Sequence, residues 1–482
     1  MCDVDADKDT DQLAYLSAKE LTTLFRKRAI SPVEVASQLL TRINRLDGAV
    51  NAVVHDDPEL TLTMARAAEC RYLEGSPLSG IDGVPVTVKD LCRVAGMPLS
   101  RGSAAFDGSI PVWDDGLPIA RLREAGAVFL AKTATPDSGC KVVTRSAVHG
   151  VTANPYDLSR TPGGSSGGAA AALAMGFGPL AVGTDGAGSL RIPASYTNTV
   201  ALKPSYGVVP TLSHDIDMPL PVTGPMARTV EDAATMLHVM SRPDARDPFA
   251  WPVPFSLPKD LANPDLTGLH IAASPRFGTV APLADLEVDF LVAQATTLLA
   301  DAGATLSEAD PVWPVNPAIP FQVLWDTAYL DAASRVDETH RHLVDPIILA
   351  AAERAQKTSA ATLLAAIDGR IKLALTAAEF FTRFDLLVGP VMPIPPFSVD
   401  HDVPEGFADD DWSWCPYTYI WNMTGQPAAS VPIGFTEAGL PVGVQIIGRH
   451  GEEATILRAA AAIECRRPLY RRRPPGLSMA LS

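Results

Sequence analysis

Two glycine-rich segments carry the serines of this chain that are placed to react: Gly163-Gly164-Ser165-Ser166-Gly167-Gly168 and Gly183-Thr184-Asp185-Gly186-Ala187-Gly188-Ser189-Leu190-Arg191. Serine supplies a nucleophile or a proton relay when a base stands beside it. Glycine lets the backbone take positive φ and lets a reacting group come close. A third residue belongs with them. Lys89 ends the alternating run Val84-Pro85-Val86-Thr87-Val88, and ligand sites in open α/β sheets gather at strand ends. A serine–lysine pair is one of the known alternatives to Ser-His-Asp.

Two competing motifs test the first segment. A phosphate-binding P-loop needs G-x-x-x-x-G-K-[ST], and Gly168 is followed by Ala169-Ala170. The lysine and the magnesium-binding hydroxyl are both missing, so phosphate binding fails. A hydrolase nucleophile elbow needs G-x-S-x-G between a strand and a helix. Gly164 to Gly168 fits the pattern with Ser166 at its centre, but Asn154 to Pro162 reads as a loop. An esterase using Ser166 and a histidine therefore stands as an alternative. In the third reading the two segments form one site. Ser165 and Ser189 stand 24 residues apart, enough for a helix and a returning strand that bring both loops to one edge of a sheet.

The elements that must position these residues are legible in part. Ser17-x-x-Glu20 and Ser31-x-x-Glu34 are capping boxes and predict helix starts. Pro32 suits the first position of the second helix. Runs at 84–88, 128–131, 180–182, 271–273, 386–388 and 444–447 are apolar and bounded by Gly, Pro or polar residues, as strands are. Helical patterns at 119–125, 167–175, 284–305 and 347–382 lie among them. The alternation predicts an α/β sheet with helices on both faces. Residues 242–266 read as a surface connection, and 395–417 as an ordered loop near the site.

The chain resembles the amidase signature family. The likeness rests on Gly83 to Asp90, Thr161 to Gly168, Gly183 to Ala194, Leu202 to Gly207, Asn422 to Ala428 and Gly439 to Gly448. It implies one α/β domain over 1–482 with a central mixed, twisted sheet. The motif core would lie at about 80–210 and 420–465, with a variable, substrate-lining region at 211–420. It further implies a triad of Ser189 as nucleophile, Ser165 as relay after a cis Gly164–Ser165 bond, and Lys89 as base. The oxyanion donors would be the N–H groups of Gly186, Ala187, Gly188 and Ser189, with Thr184, Asp185, Arg191 and Ser166 bracing the loop. Alanine replaces the family's usual glycine at 187, and a positive φ there would cost about 1 kcal/mol. Lysine acts as a base only when neutral, so Lys89 must be desolvated, with no carboxylate partner and Asp90 directed elsewhere.

The resemblance implies hydrolysis of C–N bonds without a metal or other cofactor. A glutamine-hydrolysing amidotransferase subunit is a second possibility within the family, and an inactive binding protein a third outcome. Phe321, Trp325, Tyr329, Trp412, Trp414, Tyr417, Tyr419 and Trp421 are candidates for an apolar pocket. With no arginine cluster among them, an aryl or hydrophobic amide, a carbamate or an ester is the expected substrate. The 482 residues carry 47% hydrophobic and 20% charged residues and a net charge of −16. The acidic charge argues against nucleic-acid and anionic-membrane partners. The six scattered cysteines and the acidic N-terminal stretch predict a reducing, cytoplasmic setting, with the protein a monomer or homodimer.

Overall fold

Both capping boxes form. Ser17 Oγ accepts from the Glu20 N–H at 3.1 Å while Glu20 accepts from the Ser17 N–H at 2.8 Å, opening the helix Ala18–Arg26. Ser31 and Glu34 make the same reciprocal pair ahead of the helix Pro32–Val50. Each satisfies two donors that a helix start leaves unpaired. The computed structural model describes residues 12–106, 108–212, 220–280, 284–408 and 412–475.

Thirteen strands run in chain order among the described residues. They are β1 Val53–Asp56, β2 Pro85–Lys89, β3 Val128–Thr133, the small hairpin β4 Arg145–Ser146 and β5 Gly150–Val151, then β6 Leu180–Asp185 and β7 Val200–Lys203. β8 Val222–Ala227, β9 His270–Ala273, β10 Thr305–Glu308, β11 Leu386–Pro390, β12 Ala428–Phe435 and β13 Pro441–Gly448 follow. All but the hairpin join one mixed sheet of eleven strands, ordered β1-β3-β2-β6-β8-β7-β12-β13-β11-β9-β10. All six apolar runs read from the sequence are strands of this sheet. The strands β2, β3, β7, β8 and β13 are buried along their length, as a sheet covered on both faces requires.

One expectation changes. The helical stretch at 347–382 is two helices, Pro346–Gln356 and Ala360–Phe380. Ser359 breaks it because its hydroxyl caps the second helix, accepting from the Thr362 N–H at 3.1 Å. Serine competes with the helix backbone in this way and favours the cap. The described part of the 395–417 segment forms no helix or strand, as expected of a loop, and is tied to the segment that leads into the first serine loop. Phe397 O accepts from the Thr161 N–H at 2.9 Å. Asp409 to Asp411 lie outside the described residues.

What the fold does for the site is set by register. β2 and β6 are parallel neighbours, with Val88 opposite Val182. The side chain of Lys89 thus emerges beside Gly183 and Thr184, where the second serine segment begins. The helix Gly167–Ala174 follows the first segment, and its start presses on backbone. A Cβ on Gly168 would stand 2.4 Å from Ala134 N and 2.8 Å from Ala52 O. Backbone atoms cannot move aside as a side-chain tip can. Gly168→Ala is therefore expected to destabilise by about 1–3 kcal/mol, read as a lower urea midpoint. Gly48, inside the helix Pro32–Val50 with open space around it, is the control. Gly48→Ala should raise stability by about 0.5–1 kcal/mol.

Candidate active site

Lys89 is fully buried. Its side-chain nitrogen lies 2.6 Å from Ser165 Oγ, 3.0 Å from Ser166 Oγ and 2.9 Å from Thr184 Oγ1. Three hydroxyls surround it, and among the described residues no carboxylate pairs with it. Asp90 is directed elsewhere, as the alternation of a strand requires. It pairs with Lys132 at 2.8 Å and accepts from Ser100. Burial disfavours the charged form of Lys89 and pulls its pKa down to about 7; Cys92 and Asp185 nearby oppose the shift.

The first serine segment meets the second edge to edge. The Gly164–Ser165 peptide bond is cis. The Ser166 N–H donates to Ser189 O at 3.2 Å. Ser166 Oγ is taken up by Lys89, by Thr184 O at 3.1 Å and by the Thr184 N–H at 3.3 Å. This is not the geometry of a nucleophile elbow. No strand leads into Ser166 and, among the described residues, no histidine bonds to it. It faces inward while Ser165 and Ser189 face the cavity. Thr184, expected only to brace the loop, is itself a partner of Lys89.

A buried ion pair shapes the second loop. Asp185 and Arg191, both with fully buried side chains, pair through two hydrogen bonds of 2.9 and 3.0 Å. The remaining guanidinium donors reach Thr418 O, Gln445 Oε1 and Asn422 Oδ1. Asn422 donates back to Asp185. Asp185 sits at a pKa of about 2 because the Arg191 guanidinium and these hydrogen bonds outweigh its burial. Thr418, Asn422 and Gln445 were not assigned roles from sequence. Asn422 and Gln445 stand in two of the motif segments, but nothing in the sequence pairs them with Asp185 and Arg191, so far back along the chain.

This network bears on the four N–H groups expected to hold an oxyanion. Asp185 Oδ1 takes the Gly188 N–H at 2.7 Å, so Gly188 is not available to a developing charge. The N–H groups of Gly186, Ala187 and Ser189 have no acceptor among the described residues. The positive φ falls on Gly188, at 123°, while Ala187 is not among the residues with positive φ. The alanine therefore imposes no backbone strain. It packs at 1% exposure, with its carbonyl held by Thr418 Oγ1 at 2.6 Å.

Ser165, Thr184, Gly186 and Ser189 line a cavity of about 260 Å³. Of the aromatic candidates, Trp325 and Tyr329 reach its wall. The others do not, because they pack on one another. Phe321 stacks on Tyr419 with ring centres 4.5 Å apart, Trp412 meets Phe321 edge-on, and Tyr417 and Trp421 flank Phe277. Trp414 packs on Phe397. These rings form a core behind the site. The apolar wall comes instead from residues such as Phe106, Leu117, Ile119, Leu220 and Ile348. Arg93, Arg101 and Arg335 also reach it, a feature missed in the sequence because their positions are scattered. Arg93 pairs with Asp114 at 3.2 Å, and Arg335 with Asp331.

A mixed eleven-stranded sheet with a buried lysine and two facing serine loops at its strand ends defines a class of serine-dependent hydrolases. Comparison with known proteins agrees: the family model "Amidase" matches residues 34–457. The chain belongs to this amidase signature family and is an amide-hydrolysing enzyme. It is 34% identical to an acylamidase of Rhodococcus erythropolis, over 96% of this chain and 98% of the relative. It is 32% identical to a glutamyl-tRNA(Gln) amidotransferase subunit of Myxococcus xanthus, over 96% of this chain and 100% of that relative. Among solved structures, a bacterial aryl acylamidase of the same family superposes with a TM-score of 0.87 at 29% identity, covering 94% of this chain and 96% of the other.

The ion pair yields a prediction. Asp185→Asn leaves the Arg191 charge buried without its counterion, and should cost about 3–5 kcal/mol. Denaturant unfolding measures the loss.

Proposed function

We propose that this protein hydrolyses acyl amides with aryl or other hydrophobic substituents, through an acyl-enzyme on Ser189. The observation that carries the reading is the uncompensated, buried Lys89, 2.6 Å from Ser165, with Ser165 and Ser189 on the wall of one cavity. A lysine whose pKa lies near neutrality is a usable general base.

In the proposed sequence Ser189 Oγ attacks the amide carbonyl. Its proton passes to Ser165 Oγ, and the Ser165 proton passes to neutral Lys89. The oxyanion is held by the N–H groups of Gly186, Ala187 and Ser189. Such preorganised donors supply much of the rate enhancement in acyl transfer. The tetrahedral intermediate collapses as the proton returns from Lys89 through Ser165 to the leaving amine. Water then repeats the steps in reverse roles and frees the acid. Ser166 and Thr184 position the Lys89 nitrogen; Asp185, Arg191 and Asn422 hold the donors in place.

The mostly apolar wall supports a hydrophobic substrate. Two of the similar proteins, an acylamidase and an aryl acylamidase, point the same way. Aryl esters and aryl carbamates present the same carbonyl to the same groups and belong to the proposed range.

Two measurements test this. On a p-nitroanilide panel, Ser189→Ala should lose about 10⁴–10⁶-fold in kcat, and Ser166→Ala far less. Wild-type rates in Ser189→Ala would overturn the mechanism, and preferential release of ammonia from glutamine would move the reading to an amidotransferase subunit. The pH profile has a defined sign. Lys89 must lose its proton, and its pKa is lowered to about 7. The kcat/KM should rise about tenfold per pH unit below 7 and level off above it.

A further inference from the structure

The helix Ala318–Ser334 presents Trp325, Ala328, Tyr329 and Ala332 to the cavity that holds Ser165 and Ser189. These positions are spaced i, i+3, i+4 and i+7, one face of a helix. The two ends of this face differ. Trp325 is large and Ala332 is small. The Trp325 ring lies over the loop of oxyanion donors: a Cβ built on Gly186 would be 3.2 Å from Trp325 Cζ3. Behind the same two aromatics is a second, smaller space of about 10 Å³, lined also by Cys140, Gln322, Arg354 and Trp412. Trp325 and Tyr329 line both spaces, so they form the partition between them. Trp325 is held in place by rings on three sides: Phe321 at 5.4 Å, Tyr329 at 5.4 Å and Trp412 at 5.3 Å. Packing on three rings opposes its displacement by a larger group.

We propose that this helix face is the gauge for the acyl group of the substrate, with Trp325 closing it at one end and Ala332 leaving it open at the other. The inference rests on the serine–lysine reading above. There the leaving amine must face Ser165, which returns its proton. Ser165 is bordered by Gly139 and Leu91, since a Cβ on Gly139 would stand 3.2 Å from Ser165 Oγ and 3.0 Å from Leu91 Cδ1. The carbonyl oxygen faces the N–H groups of Gly186, Ala187 and Ser189. The substituent left to meet Trp325, above Gly186, is the acyl chain. Trp325 and Ala332 are thus specificity-determining residues.

The test uses the full-length enzyme and two series of substrates. One varies the acyl chain from acetyl to decanoyl on a constant p-nitroaniline. The other keeps acetyl and varies the aryl amine. Trp325→Leu removes part of the partition and should shift the acyl optimum to longer or branched chains, by about tenfold or more in relative kcat/KM. Ala332→Leu fills the open end and should shift it to shorter chains by a similar factor. If Trp325→Leu does not fold, Ala332→Leu decides alone. Acyl profiles unchanged from wild type in the variants that fold overturn the proposal. So does a shift confined to the aryl-amine series, which would put the leaving group on this face. Failure of the wild-type enzyme to hydrolyse any anilide would instead overturn the function reading on which the proposal rests.

Discussion

An ammonium group taken out of water needs a counterion or must lose its proton, and the site of this protein is arranged around that choice. Lys89 ends the strand β2, buried, with three hydroxyls about it and no carboxylate partner among the described residues. A neighbouring lysine takes the other course. Lys132, also fully buried, comes from the adjacent strand β3 and has Asp90 at 2.8 Å. It further donates to Cys92 O and Pro98 O. The pleat sends Lys89 and Asp90 to different surroundings, so the carboxylate next in sequence neutralises the other lysine. One step along the chain thereby separates a buried lysine without a carboxylate partner from the counterion of another lysine.

The same logic explains the position of the buried Asp185–Arg191 pair. Its charges are satisfied by two hydrogen bonds between the partners and by further contacts to Thr418, Asn422 and Gln445. Such networks rigidify when every member has a partner. Here the rigid object is the loop from Gly186 to Ser189. Asp185 consumes the Gly188 N–H and in doing so fixes the turn that leaves the neighbouring N–H groups without an acceptor. Glycine is needed at 188, where φ is 123° and a Cβ would strike Thr418 Oγ1 at 2.5 Å. The alanine at 187 occupies a position where the backbone asks nothing unusual.

Around this fixed centre the walls are of two kinds. The motif strands and loops supply the polar floor. The helix Ala318–Ser334 and the segments near Phe106, Ile119 and Ile348 supply the apolar sides. The dense aromatic core of Phe321, Trp412, Trp421 and their neighbours stands behind that wall and holds it in place. Aromatic rings offer large areas for mutual burial, so residues clustered in sequence near the site became support for the pocket and not its surface.

The residues of the candidate site and much of the framework are legible in the amino-acid order alone. The two serine segments, the lysine at a strand end, the capping boxes at Ser17 and Ser31 and six of the sheet strands are local signals, each written in a few adjacent residues. Long-range pairing is where that legibility stops. Folding spends the Gly188 N–H on Asp185, joins Arg191 to residues 422 and 445, and sends Asp90 to Lys132. Of the eight aromatics named as pocket candidates, it sets two on the cavity wall and packs the other six behind it, and it brings three scattered arginines to one wall. Strands β1, β7, β8, β10 and β12 likewise take their places from neighbours far along the chain. A residue's type and its near neighbours say what it can do. Which donor is free, which charge is paired and which ring faces the cavity depend on what the fold sets against it.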